Sequence, residues 1–113
     1  MSIFQASVSS GRDGPVLVLS GEADYTGLAV LNDALAAAMP GGGGHLTVDV
    51  CGLRFADTAS ARALLLAALT LKDQGGFLVL LGPQPVLRKV LALLGADQAI
   101  TIRAGARTVP ECT

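Results

Sequence analysis

Strand-length and helix-length apolar segments alternate along this 113-residue chain, and that alternation constrains its fold more than any other feature. Phe4, Ala6 and Val8 alternate with Gln5 and Ser7, the period of a half-buried strand. The cluster from Ser9 to Gly14 reads as a turn, and Val16 to Leu19 as a second strand closing a hairpin. After a polar connection from Ser20 to Asp24, Leu28, Leu31, Leu35 and Met39 recur at helical spacing. Asp24 or Thr26 would cap that helix, and Pro40 with Gly41 to Gly44 would end it.

The pattern then repeats. Leu46, Val48 and Val50 alternate with Thr47 and Asp49, which predicts a third strand, and Gly52 to Phe55 reads as a loop. Asp57 and Thr58 are good cap types ahead of an Ala- and Leu-rich helix over Ala59 to Leu71. Apolar residues fall on nearly every face of that helix, so the expectation is that it is largely covered. Gly75 and Gly76 stop it. Phe77 to Leu81 is a continuous apolar run, as expected of an interior strand. Val86, Leu87, Val90, Leu91 and Leu94 make a third amphipathic helix closed by Gly95, and Ile100 and Ile102 belong to a last short strand. The order β-β-α-β-α-β-α-β implies an α/β fold with a mixed, mainly parallel sheet, an N-terminal hairpin and packed helices.

The length suits one domain with a real core over about residues 3–103, Ala104 to Thr113 being expected as a mobile tail or a short helical turn. Hydrophobic residues make up 51% and charged residues 15%, which excludes the disordered class for most of the chain. A net charge of −1 offers no basic field for a phosphate backbone, and aromatics at 4% offer little base stacking, so nucleic acid is not an expected partner. The start has no basic region followed by an apolar one, and the most apolar stretch, interrupted by Arg62, is shorter than the roughly 20 residues that span a bilayer. The expectation is a cytoplasmic protein.

Catalytic and metal chemistry find little footing. Cys51 and Cys112 have no ligand spacing; Cys51 reads as a small core residue and Cys112 as part of the exposed tail. The single histidine, His45, reads as a surface loop residue with no cluster around it, so no metal and no cofactor are expected. Gly41 to Gly44 follow a helix and lead into a strand, the reverse of a phosphate loop. The segment at Asp57 is richer. Asp57, Thr58 and Ser60 place a carboxylate and two hydroxyls around the first turn of a helix. Plain capping is one reading, worth about 0.5–2 kcal/mol. The other is a phosphorylation switch: a phosphate on Thr58 would bring about −1.5 to −2 charges to a place where the helix dipole tolerates an anion but a docked partner would not.

The run from Leu46 to Ser60, with Asp49, Gly52, Phe55, Ala56, Asp57, Thr58 and Ala59, resembles the strand, loop and Asp-Ser-Ser-Gly segment of STAS domains, specifically the bacterial anti-sigma factor antagonists. Gly21-Glu22-Ala23-Asp24 is similar to the family's Gly-Glu-Leu-Asp, and Gly82 to Leu91 to its penultimate strand-to-helix turn. The resemblance runs from about Val16 to Arg103. It implies a non-enzymatic binding protein that sequesters an anti-sigma factor of the GHKL-type ATPase/kinase fold and thereby frees a sigma factor. Thr58 matches the hydroxyl that the kinase phosphorylates, Asp57 the aspartate before it, and Asp24 an acidic residue of the binding surface. That surface would comprise Asp24, Phe55, Asp57, Thr58, Ala59, Ser60 and Arg62, the last reading also as a merely solvated side chain. Ala59 replaces the family's second serine and Ser60 its glycine. A STAS module of a lipid-transport or stress-signalling assembly, binding a partner without phosphorylation, is the alternative. The sequence leaves self-association open.

Overall fold

The opening hairpin sets the geometry of the sheet. In the structure, a computed structural model that describes residues 4–11, 14–41 and 44–104, β1 (Gln5–Gly11) pairs antiparallel with β2 (Gly14–Ala23). Three crossover units follow: α1 (Leu28–Ala38) leads to β3 (His45–Ala56), α2 (Thr58–Asp73) to β4 (Phe77–Leu81), and α3 (Pro85–Leu93) to β5 (Ile100–Arg103). Short 3-10 turns at Tyr25–Gly27 and Ala96–Gln98 precede α1 and β5. The sheet order is β1-β2-β3-β4-β5, parallel from β2 onward. The expected element order and mixed sheet are therefore present.

Strand order equals chain order, so each crossover steps the same way across the sheet. Crossovers of one hand taken in one direction stack their helices on one face. The burial pattern follows: Leu17, Leu19, Leu46, Val48, Leu78 and Leu80 are buried beneath the helices, with Leu31, Leu35, Leu64, Leu71, Leu87 and Leu91 from above. Their neighbours on the strands, Ser7, Val18, Thr47, Asp49, Thr101 and Arg103, alternate onto the opposite face. A hollow of about 470 Å³ on that face is lined by His45, Thr47, Phe77, Val79, Leu81 and Arg103.

The strands extend further than their apolar cores. Ser9 and Ser10 are paired within β1 rather than forming a turn, and Ser20 to Ala23 continue β2. Gly52 to Phe55, expected as a loop, continue β3 to Ala56. Two register shifts, between Val18 and Ser20 and between Gly21 and Glu22, accommodate the extension. Gly21 adopts φ 90°, a conformation that favours glycine, and a Cβ on Gly52 would come within 3.2 Å of the Ser20 Cβ. The slip lets Val50 and Cys51, adjacent in sequence, both be buried. Cys112 and the tail from 105 to 113 lie outside the described residues, as do Gly42 and Gly43.

Helix α2 corrects a further expectation. It begins at Thr58 and runs to Asp73, where Lys72 faces the negative end of the helix dipole. It is not covered all round. Ser60, Ala61, Leu64, Ala67, Ala68 and Leu71 are buried, but Leu66 is 57% and Leu69 44% exposed. A single helical layer on one face of a sheet has an outer side, and apolar composition does not change that.

Candidate functional site at the crown of the sheet

Two aspartates meet where β2 and β3 end. Ala23 and Ala56 are register partners on adjacent parallel strands, so the residues that follow them, Asp24 and Asp57, leave the sheet side by side. Each then caps a helical turn. Asp24, with extended backbone (φ −117°, ψ −174°), accepts a hydrogen bond from the Thr26 N–H at 3.0 Å and another from the Thr26 hydroxyl. Asp57 (φ −77°, ψ 176°) accepts one from the Ser60 N–H at 2.8 Å, satisfying a donor that the helix start would leave without a partner.

The Asp57 cap also has a long-range anchor. The Ala23 carbonyl accepts from the Asp57 N–H at 2.9 Å and from the Ser60 hydroxyl at 3.2 Å. Ser60 is 1% exposed, so its side chain is turned into the protein and ties the first turn of α2 to the end of β2. Of the expected surface residues, Ser60 is thus the one whose side chain faces inward. Thr58, Ala59 and Arg62 are exposed on the outer side of α2, Asp57 is partly buried beneath them, and Phe55 is 43% exposed at the end of β3. Asp24 lies beside this group through the Ala23–Ala56 pairing.

The electrostatics favour an anion at Thr58 and hold Asp24 charged. Thr58 is the first residue of α2, where the dipole is positive and N–H groups lack helical acceptors. The hydroxyl of Thr26, and then its N–H, keep the Asp24 carboxyl below its ordinary value of 3.8. Asp24 is therefore a fixed negative charge across the neutral pH range.

Three further exposed side chains adjoin this group. Tyr25, 79% exposed, follows Asp24 directly, and Leu66 and Leu69 continue the line of Thr58, Ala59 and Arg62 down α2. The spacing of positions 58, 62, 66 and 69 was a visible signal, since residues three and four apart share a helix face. His45 begins β3 and so lies at the far end of that strand from the crown, its ring 3.8 Å from that of Phe77. Among the described residues, no three His, Cys, Asp or Glu side chains gather to hold a metal. No described helix is long and apolar enough to cross a membrane.

Comparisons with known proteins agree with this architecture. An anti-sigma factor antagonist from Mycobacterium paratuberculosis superimposes with a TM-score of 0.77 at 20% identity, covering 88% of this chain and 85% of its own. The anti-sigma factor antagonist SpoIIAA in its unphosphorylated form gives 0.68 at 23% identity, covering 89% of this chain and 88% of that one. The phosphorylated form of the Bacillus cell fate determinant SpoIIAA gives 0.66 at 24%, covering 89% and 91%. At such identities the likeness is one of fold. None of the curated proteins matches the chain in sequence. The family model described as "Mlab, STAS domain" matches residues 6–104, from the first strand to the end of the last. With a sheet, a helical layer and a matched span that coincide from β1 to β5, this chain belongs to the STAS domain family.

Proposed function

We propose that this protein is an anti-sigma factor antagonist whose crown binds an anti-sigma factor of the GHKL-type ATPase/kinase fold and whose binding is switched off by phosphorylation of Thr58. The reading rests on one observation above the rest: Thr58 is exposed at the first position of α2, directly after the Asp57 cap and beside Asp24. A phosphate there gains from the helix dipole, so the fold is spared. A partner packed on the same surface meets about two added charges and their desolvation. That the chain superimposes about equally well on both forms of SpoIIAA supports a fold that accommodates either state.

In this reading Asp24, Phe55, Asp57, Thr58, Ala59 and Arg62 meet the partner, joined by Tyr25 and the Leu66 and Leu69 side chains. Ser60 serves the surface from beneath, by fixing the cap that presents Thr58. The protein is the substrate of a kinase and not itself an enzyme. It takes no cofactor and works in the cytoplasm as a regulator of bacterial transcription.

The second reading is a STAS module in a lipid-transport or stress-signalling assembly, bound through the same crown without phosphorylation. The observation that favours it is sequence at the site: Ala59 and Ser60 stand where the antagonists have serine and glycine, and Ser60 is committed to Ala23.

Pull-down with kinase-type anti-sigma factors, with and without ATP, separates the two. The expectation is phosphate on Thr58 by mass spectrometry, retained binding by Thr58→Ala, and binding by Thr58→Glu weakened at least about tenfold, or about 1.4 kcal/mol. An unchanged affinity for Thr58→Glu together with an unmodified Thr58 would remove the switch and leave the binding; no capture of any such factor would leave the second reading.

A further inference from the structure

The two edges of the sheet are treated differently by the sequence. β5 is four residues long and ends in Arg103. β1 is seven residues long, Gln-Ala-Ser-Val-Ser-Ser-Gly, with no charge, no proline and no register shift against β2. Proteins blunt exposed edges with short strands, charges, prolines or bulges, because an unpaired ladder invites a second strand. β1 carries none of these.

The direction of its free hydrogen-bonding groups can be fixed. Ser10 is the register partner of Pro15, which has no N–H to exchange. Ser10 and Pro15 are therefore a non-hydrogen-bonded pair of the antiparallel ladder, and the alternation makes Val8–Leu17 and Ala6–Leu19 the same kind. The N–H and C=O groups of Ala6, Val8 and Ser10 consequently point away from β2, toward the edge that no described strand covers. Val8 is the middle residue of β1 and is 47% exposed.

The element above the edge shares its character. α1 packs on β1 and β2 and is the end helix of the layer, touching α2 on its other side. Its exposed residues include Ala29, Val30, Asn32, Ala36 and Ala37, and its single charge is Asp33. By contrast α2 carries Arg62, Lys72 and Asp73, and α3 carries Arg88 and Lys89. Depletion of charge is one mark of an interface core.

We infer that the β1 edge is the site at which a second copy of this chain pairs, antiparallel, about a two-fold axis through Val8. That axis sets Val8 opposite Val8 of the second copy and Ala6 opposite its Ser10, so every outward N–H on one chain finds an outward C=O on the other. The pairing is isologous and closes at two chains, giving a continuous ten-stranded sheet rather than a fibre. Two such strands with the helices beside them cover on the order of 1,000 Å² in total, the lower end of specific interfaces. The axis reverses strand direction and thus points the two crowns to opposite ends of the dimer. The surface is distinct from the crown, and either assignment can fail without the other.

Sedimentation equilibrium of the full chain, from about 1 μM to about 1 mM, tests the inference. The expected result is a rise from the 11.4 kDa monomer mass to twice that value. Val8→Pro removes one outward N–H without touching the β1–β2 ladder, and Val8→Lys adds a charge that faces its own copy. Each is expected to weaken association at least tenfold, with Leu93→Lys, at an exposed site on α3, leaving it unchanged. Hydrogen exchange of the native chain gives a readout independent of the variants: the Val8 amide gains protection as concentration rises. A native chain that stays monomeric, a dimer indifferent to both Val8 variants, or a Val8 amide whose exchange ignores concentration overturns the assignment.

Discussion

The two caps at the crown look alike in sequence and differ in what stands behind them. Asp24 and Asp57 each follow an alanine at a strand end and each accept a hydrogen bond from an N–H a few residues on. Asp24 is held chiefly by Thr26, two residues away and exposed to solvent, and otherwise only by its immediate neighbours such as Gly27. Asp57 is held through its own N–H by Ala23, and the turn it caps is held again by buried Ser60 on the same carbonyl. One cap is local; the other is built into the junction of β2, β3 and α2. The lesson is that cap residues reveal where a helix starts, and the long-range bonds behind them decide how firmly it is placed.

Substitutions can break this contrast in graded steps. Asp57→Ala is expected to cost the most, about 1–2 kcal/mol in urea denaturation, since it removes the α2 cap outright. Ser60→Ala is expected to cost about 1 kcal/mol, because one buried hydrogen bond goes while the Ala23 carbonyl keeps the Asp57 N–H. The two share an anchor, so their combined loss should depart from the sum of the singles; strict additivity in a double-mutant cycle would dissolve the claimed junction. Asp24→Ala should produce the smallest shift in the denaturation midpoint and add independently to Ser60→Ala. A larger shift at Asp24 than at Asp57 would invert the comparison.

Acid titration sharpens the same contrast. The Asp24 carboxyl is held below its ordinary value by Thr26, so the folded state binds this proton less readily than the unfolded chain. Its contribution to stability is present above the ordinary value of 3.8 and is lost as pH falls through the lowered one. Carboxyl NMR of Thr26→Val should show the Asp24 midpoint moving back up toward 3.8, and an unmoved midpoint would discard Thr26 as the cause.

Much of the fold was legible because its signals are local. Periodicity located all three helices, and Asp57 announced the start of α2 by cap chemistry that spans three residues. The strand ends were not legible, because Ser20, Gly21 and Gly52 carry turn-like side chains while their backbones pair with a neighbouring strand. The inward role of Ser60 was hidden for the same reason: its partner, Ala23, lies 37 residues away. Exposure of Leu66 and Leu69 depends on the helices all lying on one face, a property of strand order that a helix's own sequence does not contain. The neighbourhood of Asp24 and Thr58 came from family resemblance; the Ala23–Ala56 pairing supplies its geometric cause.

Strand order that equals chain order also bears on how the molecule assembles. From β3 onward, every strand docks beside the one synthesised just before it, with a single α-helix between. No strand must be left waiting for a distant partner to be inserted. Loop-closure entropy is met in small instalments, each offset by the ladder and the helix contacts that the step completes. The sheet can thus grow by accretion from the hairpin, and the junction at Ala23 is the first place where a growing edge and a helix start come under one constraint.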